Sequence, residues 1–357
     1  MDKNIAVLKG DGIGPEVMRE AIKVLEIVSE NSNINFVFND ALVGAIAIEK
    51  EGNPFPKSTK ELCKNSDAIL FGAIGDPKFD NNPKAKVRPE DGLLEMRKFL
   101  GLYVNVRPVK TYESLLDSSP LKKEIISGTD FVVYRELTGG IYFGDKGISE
   151  DGNSAYDTCS YNVEEIERIS HLAFKEAINR NNELTLVDKA NVLSTSRLWR
   201  ETVQRLAKKY NNVNVSYLFV DNAAMKIITN PSEFDVILTE NMFGDIITDE
   251  ASVITGSLGM LPSASIGNEI SLYEPIHGSY PQASGRNIAN PMAMILSAGL
   301  MLDLSFGMKK ESKLINEAVK EALENGIVTE DINNNDNFST SEVGDWIAKK
   351  VRDLYLI

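Results

Sequence analysis

The sequence predicts an α/β protein, and three observations carry the prediction. Short β-branched runs recur from one end of the chain to the other. Amphipathic helical patterns fill the intervals between them. The length, 357 residues, suffices for two lobes around substantial cores. In chain order, Ile5-Ala6-Val7-Leu8 reads as a buried strand, because four consecutive apolar residues leave no solvated face. Residues 15–29 follow as a helix with Pro15 in its first turn, where a missing N–H costs nothing. Ala68-Ile69-Leu70-Phe71, Phe131-Val132-Val133-Tyr134, Leu184-Thr185-Leu186-Val187 and Val236-Ile237-Leu238 are further buried strands. Residues 213–220 are strand-like, and residues 163–179 form a second amphipathic helix. Asn333-Asn334-Asn335 reads as a surface loop. Ser339 with Glu342 then forms a capping box that opens a last helix to about Val351. No internal repeat or low-complexity linker marks a domain boundary.

Composition removes several function classes. A formal charge of −14 disfavours nucleic acid, whose phosphates need a concentrated basic surface. It also means that an anionic substrate would require arginines gathered locally. No apolar run approaches the ~18 residues of a membrane span, and the N-terminus enters a strand at once, with no room for a leader. Two cysteines are too few for a disulfide framework and fit a reducing cytoplasm. Two histidines make a His-Cys zinc site implausible.

A strand, then Gly10-Asp11-Gly12-Ile13-Gly14-Pro15, then a helix invites comparison with a dinucleotide fingerprint. G-x-G-x-x-G wants glycine where this chain has Pro15, so a tight strand-to-helix turn is a better reading than a pyrophosphate cradle.

The chemistry concentrates further on. After the apolar run 234–238 comes Asn241-Met242-Phe243-Gly244-Asp245-Ile246-Ile247-Thr248-Asp249-Glu250. Asp245 and Asp249 are four apart and share a helix face, and Asp221 follows its own strand-like run. Three hard oxygen ligands suit Mg²⁺ or Mn²⁺ better than zinc. Acids at this spacing are common on solvated helix faces. The glycine-rich tail Thr255-Gly256-Ser257-Leu258-Gly259-Met260-Leu261-Pro262 is something a merely solvated face does not need.

This assembled stretch resembles the signature of the metal-dependent β-decarboxylating dehydrogenases, the family of isocitrate and 3-isopropylmalate dehydrogenases. The resemblance extends from the Gly10–Pro15 turn to Asn287-Ile288-Ala289-Asn290-Pro291. It implies the family's two-domain α/β fold, which is not a classical Rossmann fold, with a cofactor-binding domain from residues 1–103 and 255–357 and a dimerisation and metal/substrate domain from residues 104–254. Arg97, Arg107 and Arg135 fall where the family keeps its dicarboxylate clamp; arginine grips a carboxylate through two parallel hydrogen bonds. Tyr142 matches the proton-donating tyrosine and Lys189 the catalytic lysine. Lys189 would take the substrate's hydroxyl proton if burial near metal and arginine lowered its pKa. Asp221, Asp245 and Asp249 would bind the cation and, through it, the substrate's hydroxyl and carboxylate. The family dimer implies shared sites, with Lys189 and Asp221 reaching into the neighbour's.

Substrate choice would turn on Glu90-Asp91-Gly92-Leu93-Leu94. Where isocitrate enzymes carry serine and asparagine for a third carboxylate, Leu93 and Leu94, with Val192, would welcome an isopropyl group, and Glu90 would repel the extra charge. This points to 3-isopropylmalate rather than isocitrate, homoisocitrate or a malate-like acid. The loop Leu272-Tyr273-Glu274-Pro275-Ile276-His277-Gly278-Ser279-Tyr280-Pro281-Gln282-Ala283 resembles the family's adenosine-binding loop. Ile13, Glu274, His277, Gly278, Ser279, Tyr280, Gln282 and Asn290 are thus the expected NAD contacts. NAD-using relatives usually have aspartate where Gln282 stands; no lysine-tyrosine pair replaces it. The aspartates alone would also suit a Mg²⁺-dependent phosphatase, a reading that leaves the arginines and this loop without purpose.

Overall fold

A computed structural model describes residues 1–80 and 87–356. The chain forms two compact units, Met1–Leu102 with Ser257–Ile357, and Tyr103–Gly256. Twelve strands follow one another among the described residues. They are β1 (Asp2–Gly10), β2 (Asn35–Asp40), β3 (Ala68–Ala73), β4 (Val104–Lys110), β5 (Asp130–Glu136), β6 (Lys146–Ile148), β7 (Ala155–Asp157), β8 (Glu183–Asp188), β9 (Asn214–Phe219), β10 (Val236–Thr239), β11 (Pro262–Ile266) and β12 (Ser271–Pro275). The five runs read as buried strands each lie within one of them, the strand-like 213–220 contracts to β9 with Val220 opening a helix, the apolar 234–238 contributes only 236–238 to β10, and the expected helix 163–179 runs Val163–Asn179. The last helix, Thr340–Leu354, begins at the expected capping box: Ser339 N–H donates to Glu342 Oε2 at 2.8 Å.

In the first unit the strand order is β2-β1-β3-β12-β11, parallel except for the β11–β12 pair. Parallel strands are covered on both faces, which is why Ile5 to Leu8 are all fully buried. Alternation sends Ala6 and Leu8 into a cluster with Phe55, Ile69, Phe71 and Met96. Ile5 and Val7 point the other way, toward the side where helices Gly14–Glu30, Met292–Leu304 and Thr340–Leu354 pack together. Met292–Leu304 is apolar all round and accordingly buried. Among the described residues no helix is long and apolar enough to cross a membrane.

The glycine turn after β1 holds protein. Gly10 and Gly12 have φ of +68° and +55°, and a Cβ at Gly12 would lie 1.9 Å from the Ser279 carbonyl oxygen. The Ile13 N–H donates to that carbonyl at 2.8 Å and the Gly14 N–H to Asp11 O at 2.9 Å. Those amides are already used by the chain, so the turn is a clasp on the loop at Ser279 rather than a pyrophosphate cradle.

In the second unit the order is β4-β5-β10-β8-β9, with β4 antiparallel to β5 and the rest parallel; β6 and β7 form a separate hairpin. Its core joins Val109, Phe131, Val133, Val187 and Ile237 to Ile247, Ala251 and Ile254. The last group fixes how the helix Asn241–Ser252 lies. Ile247 and Ala251 are one turn apart and face the core. Residues 245 and 249 are offset from them by two positions, about 200° around the axis, so they must face outward.

Candidate active site

The outward face of helix Asn241–Ser252 meets the ends of β4 and β5 within the second unit. Arg135, at the end of β5, is only 3% exposed. Its Nε and Nη2 donate to Asn241 Oδ1 at 3.2 and 2.8 Å, and its Nη1 pairs with Asp245 Oδ1. Gly244 makes room for the stem, since a Cβ there would lie 2.5 Å from Arg135 Cγ. Tyr142, at the end of the turn Gly140–Tyr142, donates its hydroxyl to the other Asp245 oxygen at 2.9 Å. Desolvation first, then that carboxylate, pushes the phenol above its usual 10, so Tyr142 keeps its proton at neutral pH. Arg107 on β4 donates from Nε to Asn105 Oδ1 at 2.6 Å, and from Nη1 to Thr248 Oγ1 at 2.6 Å and Asp249 Oδ1 at 3.4 Å. Five of the expected residues, Arg107, Arg135, Tyr142, Asp245 and Asp249, are therefore gathered on one unit.

Lys189 and Asp221 form a separate pair. Lys189 follows β8, and its Nζ donates to Asp221 Oδ1 at 2.6 Å. Asp221 sits in the first turn of helix Val220–Thr229, and the ammonium holds its carboxyl below the usual range. The burial expected for Lys189 is not found within the chain, since a quarter of its side chain is exposed and its partner is an open carboxylate. Val192, just beyond, is exposed. Among the described residues no three His, Cys, Asp or Glu side chains converge to hold a metal. One chain thus offers the cation a pair of hard carboxylates, Asp245 and Asp249, and presents Asp221 elsewhere. Ionised oxygens of this kind fit Mg²⁺ or Mn²⁺.

The first unit carries the remaining residues. A cavity of about 570 Å³ is lined by Ile13, Leu258, His277, Gly278, Tyr280, Ile288, Asn290 and Asp331, among others. His277 Nδ1 donates to the Gly278 carbonyl at 3.0 Å, while its Nε2 is buried with no partner. Desolvation lowers the imidazole's pKa, leaving Nε2 a neutral acceptor at neutral pH, as a planar ligand bearing N–H groups would require. Asp331 shapes the cavity wall, accepting from Ser257 Oγ at 2.5 Å and Asn290 Nδ2 at 3.1 Å. Ser257, Leu258, Ile288 and Asp331 were not anticipated as lining residues; only their nearness to the glycine-rich tail and Asn290 signals the first three, and nothing local signals Asp331. Gln282 is exposed on the same loop.

Arg97, on helix Pro89–Phe99, lies 3.6 Å from Glu274 of β12, which links an expected substrate residue to an expected cofactor residue. Glu90 reaches over Gly75, where a Cβ would meet its Oε1 at 2.9 Å and Ser279 Oγ at 3.6 Å, so this carboxylate also neighbours the cofactor loop. Leu93 packs against the core cluster, whereas Leu94 is 46% exposed and Phe99, at the end of the same helix, 47%.

Two arginines, a protonated tyrosine and two outward aspartates are thus gathered on one unit of a two-unit α/β fold. Residues 4–347 match the family described as isocitrate/isopropylmalate dehydrogenase, and the chain belongs to that enzyme family. Membership implies a dinucleotide cofactor and a divalent cation. The chain is 52% identical to the 3-isopropylmalate dehydrogenase of Bacteroides fragilis, over 99% of each chain. It is 54% identical to that of Clostridium acetobutylicum, over 92% of this chain and 93% of that protein. Among solved structures, isocitrate dehydrogenase from Methylococcus capsulatus superposes with a TM-score of 0.87 at 31% identity, over 98% of this chain and 99% of that one.

Proposed function

We propose that this chain oxidises (2R,3S)-3-isopropylmalate and decarboxylates the product to 4-methyl-2-oxopentanoate with reduction of NAD⁺, a step of leucine biosynthesis, as a cytoplasmic homodimer. The observation that carries the reading is the Arg135–Asp245–Tyr142 cluster in a chain about half identical, over nearly its whole length, to proteins named for that reaction. Arg97, Arg107 and Arg135 take the two carboxylates and fix the substrate's orientation. Lys189 removes the hydroxyl proton, acting with Asp221 in the site of a second copy. Tyr142, kept protonated by its surroundings, delivers a proton to the carbon left by CO₂. Asp245, Asp249 and a second copy's Asp221 would hold the cation, which would supply Lewis acidity when bound, and Ile13, Glu274, the 277–282 loop and Asn290 would hold NAD⁺, which would supply the hydride acceptor.

Leu94, with Leu93 and Val192, receives the isopropyl group, while Glu90 rejects a third carboxylate. Burying that group is worth ~1.5–3 kcal/mol, or roughly one to two decades in kcat/KM. The test is NADH formation across a panel of 2-hydroxy dicarboxylates. Equal or better kcat/KM on isocitrate than on 3-isopropylmalate would sink the assignment.

A further inference from the structure

We propose that Asn105 and Asn241 are positioning residues that aim Arg107 and Arg135 at the substrate while adding no negative charge of their own. The proposal rests on the functional reading above, in which both arginines bind substrate carboxylates. Each asparagine is 1% exposed. Each turns Oδ1 to the Nε side of one guanidinium, Asn105 at 2.6 Å to Arg107, Asn241 at 3.2 Å to Nε and 2.8 Å to Nη2 of Arg135.

Two arginines elsewhere in the same unit are held by carboxylates instead. Arg200 makes two 2.8 Å bonds to the Asp188 carboxylate, and Arg180 is bound by Asp130 and Asp235. A carboxylate aims a guanidinium and also cancels its charge. An amide oxygen aims it and adds no formal charge, so attraction for an incoming carboxylate survives. Asp245 and Asp249 also reach these arginines at Nη1, but they are the carboxylates assigned to the cation.

Asn241 is itself locked. Its Nδ2 donates to Gly139 O at 3.1 Å, and its backbone N–H donates to Tyr161 OH at 3.0 Å, which in turn donates to Glu240 Oε2 at 3.1 Å. With Nδ2 committed to a carbonyl, Oδ1 must face the arginine. Gly139 also precedes the turn Gly140–Tyr142, so one amide registers strand β5, the Tyr142 turn and the aspartate helix against one another.

The test compares Asn105→Asp, Asn105→Ala and Asn241→Ala with the wild type, on the 2-hydroxy dicarboxylate the wild type oxidises best. If that substrate is not 3-isopropylmalate, the functional reading fails while this comparison still stands. Readouts are KM for the dicarboxylate, KM for NAD⁺, kcat, and the thermal shift induced by the dicarboxylate. Asn105→Asp preserves shape and the acceptor, and should raise dicarboxylate KM roughly tenfold with NAD⁺ KM within about twofold of wild type. Both alanine variants should show the same split, and Asn241→Ala should also lower kcat, because the Tyr142 turn loses its anchor. An unchanged dicarboxylate KM in Asn105→Asp would overturn the charge argument. Equal changes in both KM values in the alanine variants, following a general loss of thermal stability, would reduce the asparagines to structural residues and overturn the aiming role.

Discussion

Gly244→Ala sets two opposed effects against each other, and the structure decides between them. An alanine inside a helix is favoured over glycine by ~0.5–1 kcal/mol, so on propensity alone the substitution stabilises. The new Cβ would however lie 2.5 Å from Arg135 Cγ, 2.8 Å from its Cβ and 3.0 Å from its Cδ. Ordinary carbon contacts are ~3.5–4.0 Å, so the shortfall is about 1 Å. Relief is hard to find, because Arg135 Cβ is anchored to β5, which is hydrogen-bonded to β4 on one side and β10 on the other. Overpacking of this kind costs ~1–3 kcal/mol, which set against the propensity gain leaves a net loss of ~0–2.5 kcal/mol, centred on about 1. The stem would be pushed off its line to Asn241, and a displaced guanidinium should raise substrate KM about tenfold. Urea denaturation and steady-state kinetics on the purified variant measure both quantities. A variant more stable than wild type with unchanged substrate KM would refute the reasoning, showing that Arg135 gives way freely.

Three further expectations can be checked independently. Desolvation raises the buried Glu240 and Glu136 carboxyls above 4.5; such a group binds protons more tightly folded than unfolded, so its contribution is fully present below the unfolded value and is lost as pH rises through the folded one. Glu240→Gln should therefore gain stability relative to wild type as pH rises above 4.5 in urea unfolding, and parallel curves would contradict this. Lys189→Ala and Asp245→Asn homodimers should each be nearly inactive, while refolded mixtures regain part of the activity through one intact shared site; demonstrated heterodimers that stay dead would exclude sharing. Gln282 lacks the charge that would repel a 2′-phosphate, so NAD⁺ should be preferred only weakly, and Gln282→Asp should mainly depress kcat/KM with NADP⁺; a clear NADP⁺ preference in the wild type would point to Arg286 or another cation nearby.

Much of the framework was legible because it rests on local rules. Four consecutive apolar residues can only be buried, so Ile5–Leu8 and its counterparts announced strands, and Ser339 with Glu342 announced a helix start. The spacing of Asp245 and Asp249 placed both on one face before any fold was known. Strand β4 is obscured in the sequence because Pro108 interrupts its apolar pattern; the proline is tolerated because the facing Val132 donates to Asp235 O rather than to β4, so the pair exchanges no N–H bonds. Strands β11 and β12 were hidden in segments read for their glycine and loop character.

What the sequence determined by itself, then, is whatever depends on neighbours three or four positions away, namely periodicity, caps, turns and the residue types able to bind a dicarboxylate and a cation. Tertiary structure alone decided which polar atoms find one another across long stretches of chain. Asn241 serves Arg135 from 106 positions away and Arg107 reaches Thr248 from 141. Asp331 closes on Asn290, and the Gly10–Gly14 turn clasps Ser279 instead of a phosphate. The physical reason is that a hydrogen bond has no signature along the chain until packing fixes both ends, and buried donors and acceptors must then pair with whatever the fold brings within reach.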